Sequence, residues 1–166
     1  MTEPQQETNG PITLNEDQQD ILRIEVAALL RAVSGMRRDT YEALAAAVNQ
    51  GEVSGEMVRP LEELVALLLE TRRARQIYKA EGERVLTELF HETPKGKEMT
   101  RQLAAVNRAL VALRGQSLSG VRIGMRTIGH FTVTINTKGA NLTLGVQPRS
   151  VVVESVETGG DEEAGA

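Results

Sequence analysis

The stretch Met57–His91, MVRPLEELVALLLETRRARQIYKAEGERVLTELFH, restricts the folds open to this chain more than any other. Leu61, Leu64, Leu68, Thr71, Tyr78, Val85 and Leu89 recur at steps of three, four or seven, near one stripe of a helix. A period close to ~3.5 of this kind signals a helix with an apolar seam that must be covered. Val65, Leu67 and Leu69 widen the first half of the stripe, so more than one neighbour is expected there. Pro60 suits a first helical turn, where its missing N–H costs little, and Gly82 is a weak point within the run. Arg72, Arg73, Arg75 and Lys79 interrupt the apolar pattern over two turns. Their stems can lie on apolar surface while the charged heads reach water or a partner's carboxylates.

The rest of the core must suit such a helix. Of 166 residues, 40% are hydrophobic but only 2% aromatic, with no Trp, so Leu, Val, Ala and Ile must fill the interior. The absence of Cys excludes disulfides and thiolate chemistry. A net charge of −4 argues against a surface that grips nucleic acid throughout, though a local basic patch stays open. The polar, acidic start MTEPQQETNGP has neither the basic nor the apolar region of a secretory signal. No uncharged apolar stretch approaches the ~18 residues of a membrane span, so a soluble protein is expected, with the cytoplasm as its default location.

Residues 1–15 have little to bury and are expected to be disordered. A first helix begins at Glu16, with Glu16, Asp17 and Asp20 at the positive end of its dipole, and stops at Ser34-Gly35. A second, capped by Asp39 or Thr40, buries Tyr41, Leu44, Ala45 and Val48. The long helix is expected to end at Thr93-Pro94, followed by a basic connection Pro94–Lys97. A last helix, Glu98–Arg114, carries Met99, Leu103, Val106, Leu110 and Leu113 as one buried stripe.

Beyond Gly115 the texture changes. Val121, Ile123 and Met125 alternate with Arg122 and Arg126, and Phe131, Val133 and Ile135 alternate with threonines; later runs behave alike. Period two between turn residues means strands joined by hairpins. The expected fold is therefore α+β. An antiparallel bundle of about four helices (16–114) and a linker (115–120) precede a small antiparallel β module (121–157) and a disordered acidic tail (158–166). A module this small should lean on helices or on another chain.

Chemistry finds little purchase. Glu88 and His91 make one E-x-x-H pair where di-iron bundles need two, and His91 fits a helix C-terminus without a metal. No serine lies in a nucleophile elbow and the glycines form no phosphate-binding loop. No catalytic residue, metal ligand or cofactor is expected, and the chain is read as not an enzyme. Arg122, Arg126, Lys138 and Arg149 make the β module locally basic, with Phe131 and His130 as flat side chains beside them. The alternation that Phe131 shares with Val133 and Ile135 favours it as a core residue.

Three segments carry a resemblance: Leu22-Arg23-x-Glu25, Arg38-Asp39-Thr40-Tyr41, and Leu68 to Ile77 (LLETRRARQI). Together with the order of parts, they are similar to archaeal GINS subunits, in which a helical A domain precedes a small β-rich B domain. The resemblance implies a non-enzymatic scaffold in DNA replication, part of a tetramer that joins an MCM-type helicase to a RecJ-like protein. On that reading Leu61, Leu64, Leu68, Arg72, Arg73, Arg75 and Lys79 form a helical subunit interface, while Arg122, Arg126, Phe131 and Lys138 form a docking face with weak or indirect nucleic-acid contact. The alternative is a self-assembling helical structural protein, of phage or compartment type, whose β tails pair between chains. A third class, direct binding of single-stranded nucleic acid, would rest on Arg122 and Arg126.

Overall fold

The computed structural model describes residues 10–159. The chain is α+β, and it divides into two units, the first ending at Lys97 and the second beginning at Glu98.

The first unit opens on β1 (Ile12–Thr13), which pairs antiparallel with β2 (Glu52–Val53), matching Ile12 to Val53 and Thr13 to Glu52. The expected disorder of the N-terminus is thus corrected for residues 10–15; residues 1–9 lie outside the described residues. The cause is burial, because Ile12 and Leu14 are core residues. Asn15 then caps α1 (Glu16–Leu30) in a reciprocal box: its side chain accepts from the Gln18 amide at 2.9 Å and its own amide donates to Gln18 Oε1 at 3.0 Å. Next comes α2 (Met36–Gln50), starting slightly before the expected Asp39 or Thr40 cap, and ending on Gly51, whose φ of 79° suits glycine.

The single helix expected over Met57–His91 is two helices, α3 (Val58–Glu70) and α4 (Arg73–Glu92). At the end of α3 the Thr71 hydroxyl donates to the Leu67 carbonyl at 2.7 Å, and Arg72 takes a left-handed conformation with φ 57°. A second break lies within α4, where Lys79 has φ 62°. Such conformations cost a non-glycine residue about 1–3 kcal/mol, so something must hold them. Gly82 is buried beside the kink, where an added Cβ would stand 2.1 Å from the Tyr78 Cβ. Glycine here is what lets Tyr78 fold over the helix. The core around these helices comes from Leu22 and Val26, Leu44 and Val48, Leu61, Leu64, Val65 and Leu68, and Val85, Leu86 and Leu89.

The expected connection Pro94–Lys97 is helical: Pro94 is the first residue of α5 (Pro94–Val111), which makes five α-helices among the described residues in place of about four. Buried Thr93 caps it, its hydroxyl accepting from the Gly96 amide at 3.2 Å and donating to the Phe90 carbonyl at 2.7 Å. Proline at a first helical position loses no bond, so the residue that stops one helix also starts the next. Glu62, only 4% exposed, accepts from the Lys95 amide at 2.7 Å and places its charge on the positive end of α5.

In the second unit, four antiparallel strands follow in sequence order: β3 (Leu118–Thr127), β4 (His130–Thr137), β5 (Ala140–Gln147) and β6 (Ser150–Thr158). The expected linker 115–120 is tied down. Gln116 Oε1 accepts from the Thr137 hydroxyl at 2.8 Å and from the Gly139 amide at 2.9 Å, and β3 starts at Leu118. Thr158, expected in the tail, is the last residue of β6; the tail from residue 160 lies outside the described residues. Val106 of α5 packs on Leu142 and Leu144, with Ala109, Leu113, Val133, Val151 and Val153 around them. The later part of α5 thus belongs with the sheet.

Candidate functional site

Two places bring together the residues singled out above, one in each unit. In the first, the breaks at Arg72 and Lys79 turn two side chains toward one carboxylate. Glu25 on α1 is 4% exposed; Arg73 Nε donates to its Oε2 at 2.8 Å and the Tyr78 hydroxyl donates to its Oε1 at 2.7 Å. A buried carboxylate without partners would be costly, and here each oxygen has one. Burial, and then the bond to Glu25, raise the Tyr78 phenol well above its ordinary value. The same bond, with the charge of Glu25, raises the Arg73 guanidinium. Tyr78 therefore stays neutral as a donor, and Arg73 stays charged.

Glu25 and Arg73 also line a cleft of about 430 Å3 between α1 and the α3–α4 turn, walled by Ala28, Leu29, Leu64 and Leu68. Both Glu25 oxygens are engaged, so the carboxylate could act as a base only by giving up a bond that holds the turn. The trio is a structural lock. Its members were not seen together in the sequence, although Glu25 and Arg73 both fall in segments that carry the family resemblance.

The remaining arginine-group residues do not form one face. Arg75 Nη1 donates to Glu83 at 2.7 Å, Lys79 Nζ reaches the Gln76 carbonyl at 3.4 Å, and Arg72 sits on the turn itself. Leu61, Leu64 and Leu68, expected at a subunit interface, are sealed in the core of their own unit. Of the leucines of that helix, only Leu67 is left half-exposed, at 50%. The cover comes from within the chain: α4 is the principal neighbour of α3, with α2 beside it, and Val85, Leu86, Leu89, Leu44 and Val48 share one core with the stripe.

In the second unit the register sorts the side chains onto two faces. Val121 pairs with Ile135, Ile123 with Val133 and Met125 with Phe131; across β4, Phe131 meets Val146, Val133 meets Leu144 and Ile135 meets Leu142. All share one apolar face. Arg122, opposite Thr134, belongs to the other face. There Arg126 Nη1 bonds Glu154 Oε1 at 3.2 Å, and Glu154 Oε1 lies where a Cβ on Gly145 would be 2.7 Å away. Glycine at 145 keeps that lane across the sheet open. Lys138 lies exposed in the turn between β4 and β5. Phe131 and Arg122 are therefore on opposite faces, which removes the stacking platform that a single-stranded nucleic acid would need.

The apolar face is covered unevenly. The core contacts of α5 fall on β4, β5 and β6, leaving Val121 58%, Ile123 69% and Met125 67% exposed on β3. Phe131, expected as core, is 40% exposed because it stands beside the uncovered Met125. On α5 the expected buried stripe is only partly buried: Val106 is covered while Leu103 and Leu110 are exposed.

No helix among the described residues is long and apolar enough to cross a membrane. No family model matches the chain, and neither a curated protein nor a solved structure matches it.

Proposed function

We propose that this chain is a non-catalytic assembly subunit whose docking element is the sheet of its second unit. One observation carries this reading: a continuous apolar surface formed by Val121, Ile123 and Met125 of β3 and Phe131 of β4, which α5 does not cover. Apolar patches of this kind, on a small sheet with a polar opposite face, mark protein–protein contact. The interface thereby moves from the leucines of α3, which are consumed by their own core, to the face around Ile123.

The family resemblance supplies the identity of the partners under this proposal, an MCM-type helicase ring and a RecJ-like protein. The meeting of Glu25 with Arg73 in the lock ties α1 to α4 within the helical unit. The alternative of a self-assembling structural protein draws on the same exposed strand. Binding of the purified chain to immobilised helicase, compared with the triple variant Val121→Thr, Ile123→Thr, Met125→Thr, tests the reading. Threonine keeps the strand propensity while removing the apolar surface. Capture by the wild type and loss by the variant is the expected pattern; equal capture by both would remove the sheet face from the interface.

A further inference from the structure

The four-stranded sheet has two edges, and they are built differently. At β6 a register irregularity between Thr143 and Leu144, together with Glu154 and Glu157, interrupts the edge. Bulges and charges of that kind discourage a further strand. At β3 the irregularities fall at the ends, between Leu118 and Gly120 and between Met125 and Thr127, which leaves Gly120–Met125 regular. Among the described residues that segment has a strand neighbour on one side only, so it offers an edge along an apolar strand.

The residue order in β3 also selects its partner. A two-fold axis normal to the sheet keeps each face on its own side, so it must pass through a residue paired with its own copy. An axis at Arg122 opposes two arginines directly, and an axis at Gly124 opposes Arg122 to Arg126; both place like charges across strands. An axis at Ile123 does neither. It sets Ile123 on Ile123, Val121 on Met125 and Arg122 on Gly124, so apolar meets apolar and Arg122 crosses a glycine, while Arg126, in the irregularity beyond Met125, reaches back over its own sheet to Glu154.

Gly120 and Gly124 are otherwise unexplained. A Cβ at Gly124 would meet nothing within 4 Å, and one at Gly120 only Asn136 Nδ2 at 3.7 Å, with neither residue at positive φ. The chain's own fold has no need of glycine at either position. A second copy whose Arg122 stem lies across Gly124 needs one there.

From these observations we infer that two copies of this chain pair β3 with β3, antiparallel and centred on Ile123, to form a continuous eight-stranded sheet. The inference rests on the assembly reading and names a second copy as the partner at the β3 edge of that sheet, with the apolar faces of the two copies continuous.

The chain has no cysteine, so single cysteines report the register without background. Under mild oxidation of the full chain, Ile123→Cys forms a covalent dimer. Val121→Cys alone and Met125→Cys alone do not, because each residue is roughly 13 Å from its own copy, beyond disulfide reach of about 7 Å. An equal mixture of the two cross-links. In parallel, Gly124→Glu tightens the dimer about fivefold by facing Arg122 of the other copy, and Gly124→Arg weakens it by a similar factor. Cross-linking of Val121→Cys alone as fast as Ile123→Cys overturns the register. No covalent dimer from Ile123→Cys, with a monomeric wild type at millimolar concentration, overturns the pairing altogether. In that event, helicase capture lost in the triple threonine variant still upholds the assembly reading, so the two failures are distinguishable.

Discussion

The lock at Glu25 can be taken apart one bond at a time. Tyr78→Phe removes one charge-assisted hydrogen bond of 2.7 Å, a loss of roughly 2 kcal/mol for a bond to a buried charge. Arg73→Ala costs less, about 1 kcal/mol, because the Arg73 side chain is 46% exposed and solvent screens its pair. Together the two substitutions strand a carboxylate that is 4% exposed, and the loss rises to about 3–5 kcal/mol. Adding Glu25→Leu to the double variant should then restore most of the stability, since the cost lies in the unpaired charge and leucine suits the aliphatic cleft. Urea unfolding followed by helical circular dichroism reads these changes as shifts in midpoint at constant slope. A triple variant no more stable than the double would refute the assignment of the penalty to the buried charge.

The raised folded-state value of Tyr78 makes a second prediction. Its stabilising contribution is complete below the ordinary phenol value of 10.0 and is lost as pH rises above it toward the folded value. Alkaline titration of stability should show this decline in the wild type and a shallower one in Tyr78→Phe. Gly82→Ala should destabilise by about 1–3 kcal/mol, as the clash with Tyr78 outweighs the better helix propensity of alanine; equilibrium unfolding checks the sign. Glu62→Ala should cost about 1–2 kcal/mol by uncapping α5 at Lys95, and Glu62→Gln less, in the same measurement.

Strongly periodic segments were legible in the sequence. Alternation from Val121 to Val156 yields the strands, and the apolar steps of α1 and α2 give helices close to their observed limits. The break between α3 and α4 was hidden because the apolar period runs through Thr71 and Tyr78 with neither glycine nor proline at Arg72 or Lys79. Only a long-range bond, from Arg73 and Tyr78 to Glu25, accounts for it. β1 was missed because two residues carry too short a period, although Asn15 and Gln18 spell a capping box directly after it. The candidate interface divides the same way: the apolar alternation of β3 could be read, but which part of it α5 would leave bare depends on packing that spacing does not encode.

Sedimentation equilibrium of the full chain beside its Val121→Thr, Ile123→Thr, Met125→Thr variant tests most directly whether the bare face around Ile123 is there to be joined. The wild type should associate reversibly with rising concentration, and the variant should remain monomeric with unchanged circular dichroism. A wild type that stays monomeric at every concentration, and that binds no helicase or RecJ-like protein, would contradict an assembly role for this chain.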